Sequence, residues 1–237
     1  WYTCGLCEQD YHGVVRCALG WSCWKTYLGR PETDKARRLA MNLLGLGLCA
    51  ANHDEDALSV YEAELSMLRR LGVSEEHILD TQSNLAMTYQ RLGRLESALQ
   101  MKRDVYSGFL KLHGEEHEKT ILAANNYSTS LIDLQRSEEV KSLMRKTIPV
   151  AQRVLGESHN LTLRMKWNYA RALYKDPAAT LDDLGEAVTR LEDAERTARR
   201  VFGGEHPLTK GIGFHLRESR AALRAREAPD DETVDAP

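Results

Sequence analysis

Four residues able to bind a metal stand close together near the beginning of the chain. Cys4, Cys7, His12 and Cys17 follow one another in the pattern C-x2-C-x4-H-x4-C. Three thiolates and one imidazole can complete a tetrahedral zinc shell, and a C-x2-C pair lets both sulfurs reach one ion from a tight turn. This spacing predicts a zinc site within residues 1–31, a lead-in rich in cysteine and tryptophan.

The order of these ligands resembles the zinc knuckle family. The resemblance covers only this short stretch, and Glu8 and Tyr11 stand where the knuckle usually has glycine. It implies a zinc-dependent binder of nucleic acid or protein, which is the alternative function for the chain. A net charge of −3 and the absence of a basic stripe in the sequence weigh against a nucleic-acid partner.

The same cysteines also fit an amphipathic helix. Apolar residues follow helical spacing between residues 13 and 28, which would make Cys17 and Cys23 core residues. A third interpretation places Cys4 and Cys7 in a larger zinc site whose other ligands lie further upstream. All three interpretations stay open on the sequence alone.

The composition is typical of a folded protein, and the sequence predicts no membrane-spanning segment. Apolar residues make up 42% and charged residues 28%, and no apolar run approaches the roughly 20 residues that span a bilayer. The five cysteines are an odd number and cluster early, which favours reduced thiols and a cytoplasmic location over a disulfide framework. The chain begins with tryptophan, so a longer parent protein is an open alternative.

No motif in the chain predicts catalysis. A phosphate-binding Gly-x-x-x-x-Gly-Lys-Ser/Thr, a nucleophile Gly-x-Ser-x-Gly and a His-Glu-x-x-His metal motif are all missing from the sequence. His77, His117, His159 and His206 recur about one repeat apart, at positions where helices are expected to begin. We therefore expect these histidines to contribute to helix caps, and we expect no enzymatic activity.

The helices that position these residues can be located from a junction sequence that recurs along the chain. Gly72, Gly114 and Gly156 recur at 42-residue intervals, and Gly203 follows 47 residues later. At each such junction a glycine can end one helix, and acidic residues then suit the positive first turn of the next. We predict an array over residues 32–227 and a disordered acidic tail over 228–237. Within the array we expect hairpins at about 34–71, 72–113, 114–155 and 156–202 and a capping helix at 208–226.

This repeat resembles the tetratricopeptide repeat, in particular the long-spaced repeats of kinesin light chains and related algal and bacterial proteins. Leu85, Ala86, Tyr89, Gly93 and Ala98 occupy the signature positions of one copy. The resemblance implies an all-α fold, namely a right-handed α-solenoid of helical hairpins with a terminal capping helix. It also implies a scaffold that binds protein or peptide segments in its concave groove, with no cofactor in the array.

An asparagine recurs once per repeat in the first helix of the hairpin. Asn84, Asn126 and Asn168 are spaced by 42 residues. In tetratricopeptide proteins an asparagine at this position commonly hydrogen-bonds the backbone of an extended peptide, because a primary amide offers both a donor and an acceptor. The alternative is that these asparagines join adjacent helices. We expect the groove role.

The fourth hairpin adds cationic and aromatic residues on the expected groove side. Arg164, Arg171 and Lys175 could pair with carboxylates, and Trp167 and Tyr174 could hold an apolar anchor. We therefore expect an acidic peptide ligand with an apolar anchor. A second copy of the chain in the groove, giving a homo-oligomer, is an open alternative.

Overall fold

The protein is described by a computed structural model over residues 11–227, and the tail predicted at 228–237 lies outside the described residues. The described part of the chain is built from α-helices and turns and contains no strand, which confirms the predicted all-α fold class. The helices belong to two compact units that divide between Leu112 and His113. The first unit holds α1 (Gly13–Tyr27), α2 (Lys35–Ala50), α3 (Asp54–Arg70), α4 (Glu75–Arg91) and α5 (Leu95–His113). The second holds α6 (Glu118–Asp133), α7 (Ser137–Leu155), α8 (Asn160–Tyr174), α9 (Leu181–Phe202) and α10 (Pro207–Glu227).

The core of the first unit follows from helical spacing of apolar residues. Leu44 and Leu48 lie one turn apart on α2, and Tyr61 and Leu65 lie one turn apart on α3, so each pair faces the same side. Leu85 of α4 joins them in one buried cluster. Burying each such side chain stabilises the fold by about 1.5–3 kcal/mol relative to exposure, and this is what holds the first two hairpins together.

Helices α1 and α2 approach closely because glycines stand at their contact. A methyl group on Gly47 would lie 2.9 Å from the backbone oxygen of Arg16 and 3.0 Å from the Cα of Cys17. On α1, a methyl group on Gly20 would lie 2.8 Å from the backbone oxygen of Leu43. The backbones of the two helices are in contact at both points. This close crossing is possible only because both residues lack a side chain.

The core of the second unit repeats the same plan with α6 to α10. Leu131 of α6, Met144 of α7, Leu173 of α8, Leu191 of α9 and Ile212 of α10 are all fully buried. Neighbouring helices in the sequence pack against each other, and α8 also contacts both α6 and α10. Helix α10 therefore covers α8 and α9 as the first helix of a further repeat would, which agrees with the predicted capping role.

The turn within the third hairpin has glutamine where the second hairpin has glycine. In the second hairpin Gly93 takes a left-handed conformation, with φ of 73°. Gln135 occupies the same place in the third hairpin with φ of 57°, a conformation that costs about 1 kcal/mol for a residue with a side chain. The turn thus lies where the sequence predicts it, and Gln135 adopts the same left-handed backbone conformation as Gly93.

The long turn of the fourth hairpin, residues 175–180, is closed by side chains. Thr180 and Asp183 form a capping box at the start of α9. Asp176 accepts a hydrogen bond from the backbone N–H of Ala178 at 3.0 Å. Lys141 of α7, 5% exposed, forms ion pairs with Asp176 at 3.0 Å and with Asp183 at 4.0 Å. These side chains thereby tie the longer insertion to the preceding hairpin.

Within the part of the chain that the structure describes, no helix has both the length and the apolar character that crossing a bilayer requires.

Candidate interaction surface

The described portion of the lead-in is helix α1. Cys23 is 2% exposed, and Cys17 packs against the core of the first unit, as the amphipathic-helix interpretation expects. His12 directly precedes α1, while Cys4 and Cys7 lie outside the described residues. Over residues 11–227, no three His, Cys, Asp or Glu side chains are grouped to hold a metal. Zinc binding by the full set of four stays a prediction.

Three of the junction histidines form the same helix cap. His117, His159 and His206 each accept, through Nδ1, a hydrogen bond from the backbone N–H two residues later, at 3.2, 3.3 and 3.2 Å. This bond satisfies one of the unpaired donors of a helix start. His77 differs, because it lies inside the first turn of α4 with its Nδ1 at 2.7 Å from the Ser74 hydroxyl. Three of the four junction histidines therefore contribute to helix caps, as predicted.

The three repeated asparagines have different surroundings. Asn84 and Asn126 are partly exposed, and neither side chain hydrogen-bonds within the described residues. Asn168 is buried, and its amide nitrogen donates to Oδ1 of Asn125 at 3.1 Å and to the hydroxyl of Ser128 at 3.0 Å. At Asn168 the alternative interpretation holds, since its donors join α8 to α6. A peptide-binding role for Asn84 and Asn126 stays a prediction.

Helix α10 covers the aromatic residue expected to hold an apolar anchor. A methyl group on Gly211 would lie 2.7 Å from the indole ring of Trp167, so the bare backbone of α10 packs on this ring. The His215 ring lies 5.4 Å from the same indole, and the Arg171 guanidinium carbon lies 6.0 Å from its centroid. Trp167 is therefore partly buried between α8 and α10 and presents little surface to a ligand.

Tyr174 is likewise engaged by α10. Its hydroxyl lies 2.5 Å from Nδ1 of His215 and donates to Oε2 of Glu218 at 2.7 Å. Burial raises the pKa of Tyr174 above its ordinary value, and the Glu218 carboxylate adds to the rise. The hydrogen bond from Tyr174 in turn lowers the pKa of Glu218. This phenol is a neutral structural donor, so it supplies no nucleophile.

Two cations and one carboxylate surround His215 in this cluster. Burial, together with the positive charges of Arg171 and Lys175, lowers the pKa of His215 to about 4, and the Glu218 carboxylate opposes this shift. His215 is therefore neutral at pH 7. Lys175 is exposed and lies 3.8 Å from Glu218, and Arg164 is exposed with its Nε donating to Asn160. Arg164 and Lys175 thus lie at the surface, whereas Arg171 is partly buried against Trp167.

Gly211, His215 and Glu218 of α10 contact the predicted aromatic residues of α8. None of the sequence patterns described above indicated these three residues. The repeat register contains the signal that would have found them. The His-x-x-Thr junction before α10 follows the one before α8 by 47 residues, and the same shift places His215 at the position of Asn168 and Glu218 at that of Arg171. Treating the capping helix as a full first helix of a repeat would have placed both residues against α8.

Repeated helical hairpins with capped junctions define this protein as an α-solenoid of helical repeats. Residues 77–151 match the model of the tetratricopeptide repeat family, and this stretch therefore consists of tetratricopeptide repeats. No curated protein matches the sequence.

Three solved structures share the fold. BtubC (BKLC) from P. vanneervenii is 16% identical with a TM-score of 0.69, and the match covers 94% of this chain and 96% of that one. A variant of a Podosopora anserina protein, described as a kinesin light chain with nearly identical TPR-like repeats, is 19% identical with a TM-score of 0.67, over 81% and 88% of the chains. Another structure of that protein is 18% identical with a TM-score of 0.62, over 86% and 100%. The chain thus has the fold of kinesin-light-chain-like tetratricopeptide proteins, and the predicted α-solenoid is confirmed.

Proposed function

We propose that this chain is a non-enzymatic interaction module and that its second unit binds an extended acidic peptide along α6 and α8. Tetratricopeptide repeats generally present a surface to other proteins, and the long concave face of such arrays suits an extended segment. The ligand would lie across Asn126, Arg164, Arg171 and Lys175.

The observation that carries this proposal is the row of cations on α8. Arg164, Arg171 and Lys175 are spaced by seven and four residues, so they project from one side of the helix. Arg164 and Lys175 are exposed to solvent, and Arg171 is partly exposed. A guanidinium binds a carboxylate through two parallel hydrogen bonds, which favours an acidic peptide over a neutral one.

The apolar anchor of such a peptide needs an exposed partner, and α6 offers one. Leu122 is 46% exposed and lies one turn before Asn126 on the same face of α6. It stands 42 residues before Arg164, and therefore at the equivalent place in the preceding repeat. Leu122 replaces the covered Trp167 as the expected apolar contact, while the Asn126 amide is placed to hydrogen-bond the peptide backbone.

A peptide array in which the number of acidic residues and the place of one leucine vary tests the proposal. We expect acidic members to bind, and we expect Asn126→Ala and Arg164→Glu each to weaken binding by about tenfold or more, equivalent to at least 1.4 kcal/mol. Arg171→Glu should weaken binding as well, with a thermal melt to confirm folding because Arg171 contacts Trp167. Lys146→Glu on α7 is the matched control, an exposed cation on another helix. Equal affinity of all variants for the bound peptides would exclude this surface.

A further inference from the structure

A second charged surface lies between α9 and α10, on a different side of the second unit from the acidic-peptide surface. It is an open cleft of about 680 Å³. On α10, Gly211, His215 and Glu218 face α8, whereas Gly213 and Arg217 face this cleft, about half a helical turn away. The arginines that line the cleft are Arg196, Arg199 and Arg200 of α9 and Arg217 and Arg220 of α10.

The acidic residues of this cleft are already paired. Glu192 accepts from Arg220 at 2.6 Å. Glu195 accepts from Nε of Arg199 at 3.0 Å. Each of these carboxylates thus neutralises one arginine of the lining.

The remaining arginines are in excess of the acids. Arg196 pairs with Asp193 at 3.2 Å on the rim of the cleft. Arg200 and Arg217 are exposed and form no ion pair within the described part of the chain. Two guanidinium groups therefore point into solvent from opposite walls of one cleft, in a chain whose overall charge is −3. A local excess of exposed positive charge attracts anions.

The floor of the cleft has room for a ligand. The nearest atoms to a methyl group placed on Gly213 would be a guanidinium nitrogen of Arg217 and the side chain of Glu195, both at 3.9 Å. A small residue here leaves the space between the two helices open, and the buried Leu216 gives the cleft an apolar base. Between residues 192 and 200 helix α9 advances about 12 Å, which matches roughly four residues of an extended chain.

We propose that this cleft docks a short acidic segment of a partner protein, whose carboxylates pair with Arg200 and Arg217. Charge complementarity selects an anion. The paired carboxylates of Glu192 and Glu195 remain inside the cleft, and they would repel the dense, continuous charge of a nucleic acid, whereas carboxylates spaced along a peptide can avoid them. The proposal adds a second interaction surface, independent of the one on α6 and α8.

Fluorescence anisotropy with two labelled peptides tests the docking site on the full chain. The probe carries Glu-Ser-Ser-Glu between Gly-Ser flanks, so that its carboxylates are spaced apart, and its control carries Gln-Ser-Ser-Gln. Replacing Arg200 and Arg217 together by alanine should weaken binding of the glutamate peptide by tenfold or more, because both free charges are lost. Gly213→Gln should weaken it similarly by filling the cleft without changing charge.

Matched controls separate these effects from loss of fold. Lys146→Ala removes one exposed charge elsewhere on the unit, and Gly185→Gln adds the same side chain to α9 at a position with no atom within 4 Å of its Cβ. Both controls should bind the glutamate peptide as the unmodified chain does. Retained affinity in the R200A/R217A and G213Q variants would overturn the proposal.

A variant of the other surface distinguishes the two proposals. If Arg164→Ala with Arg171→Ala abolishes binding while the cleft variants do not, the docking site is wrong and the proposed peptide surface stands. Binding that survives in that variant and is lost in R200A/R217A supports the docking site. A single-stranded RNA of equal charge that binds more tightly through the same arginines would overturn the choice of a protein partner. So would a tenfold gain in peptide affinity on replacing Asp230 and Asp231 by asparagine, since the chain's own acidic residues would then be the occupant.

Discussion

At the scale of the residue, the same amino acid at equivalent repeat positions serves different purposes. The Asn126 side chain forms no hydrogen bond within the described residues, whereas Asn168 uses its amide hydrogens to bond Asn125 and Ser128. His117, His159 and His206 all form the same helix cap, because a cap depends only on residues nearby in the chain. A cap needs only a backbone N–H two residues away, which the chain supplies at every junction.

The cap formed by His159 should contribute measurably to stability. His159→Ala removes the acceptor for the Leu161 N–H and should lower the free energy of unfolding by about 1 kcal/mol, while His159→Asn should keep most of it because asparagine is a good cap. Urea unfolding followed by circular dichroism measures both. His53 precedes α3 without a side-chain cap bond, so His53→Ala is the control and should change stability by less than about 0.5 kcal/mol. Equal losses at the two sites would contradict the cap.

At the scale of the element, close contacts decide where helices can cross. The α1–α2 crossing needs Gly20 and Gly47, since backbone atoms of the partner helix lie within 3 Å of where a methyl group would be. The α8–α10 contact needs Gly211 in the same way, against the ring of Trp167. In both cases a residue with weak helix propensity is kept because its smallness lets two elements meet.

Adding a methyl group should therefore have opposite effects at two helical glycines. Gly47→Ala places Cβ 2.9 Å from the oxygen of Arg16, which should destabilise the first unit by about 1–3 kcal/mol as α1 is displaced. Gly185→Ala meets nothing within 4 Å and should stabilise the chain by up to about 1 kcal/mol through helix propensity. Thermal unfolding of the two variants gives the comparison. A Gly47→Ala protein as stable as the unmodified chain would show that the crossing is loose.

At the scale of the whole molecule, one buried group in each unit makes stability depend on pH with opposite sign. Burial raises the pKa of Glu64 to about 7, so the folded state holds a proton that the unfolded chain releases near pH 4.5. Stability from this group is present at low pH and is lost as pH rises towards 7. Burial lowers the pKa of His215 to about 4, so its contribution is present above pH 6.5 and is lost as pH falls towards 4.

Glu64→Gln isolates the first of these effects. The neutral amide cannot ionise, so the variant should gain stability relative to the unmodified chain as pH rises from 5 to 8, by up to about 2 kcal/mol. Urea unfolding at the two pH values measures the difference. Glu62→Gln on the same helix is the control, because it replaces an exposed carboxylate and should change stability little. If the free energies of unfolding of the variant and the unmodified chain differ by the same amount at both pH values, the Glu64 carboxyl is exposed to solvent.

Much of the fold could be predicted from local patterns. The predicted hairpins begin and end close to the observed helices, and the capping helix expected at 208–226 extends over Pro207–Glu227. Helix ends depend on glycines, caps and apolar spacing within a few residues, and all of these can be read along the chain. Less of the candidate site could be predicted from the sequence. Arg164 and Lys175 are exposed as expected, but Trp167 and Tyr174 are covered by α10, a contact between residues more than forty positions apart.

The sequence by itself therefore determined the repeat, the helix boundaries, the histidine caps and the family resemblance, because each depends on neighbours along the chain. Only the tertiary structure decided which repeated residues stay accessible. Asn168 is buried and Asn126 is not, although their spacing is that of one repeat. Exposure depends on which helix packs on which face, and Asn168 is buried where α8 packs on α6, a contact that the repeat pattern does not specify. The cleft of arginines between α9 and α10 arises in the same way, since its two walls come from different helices.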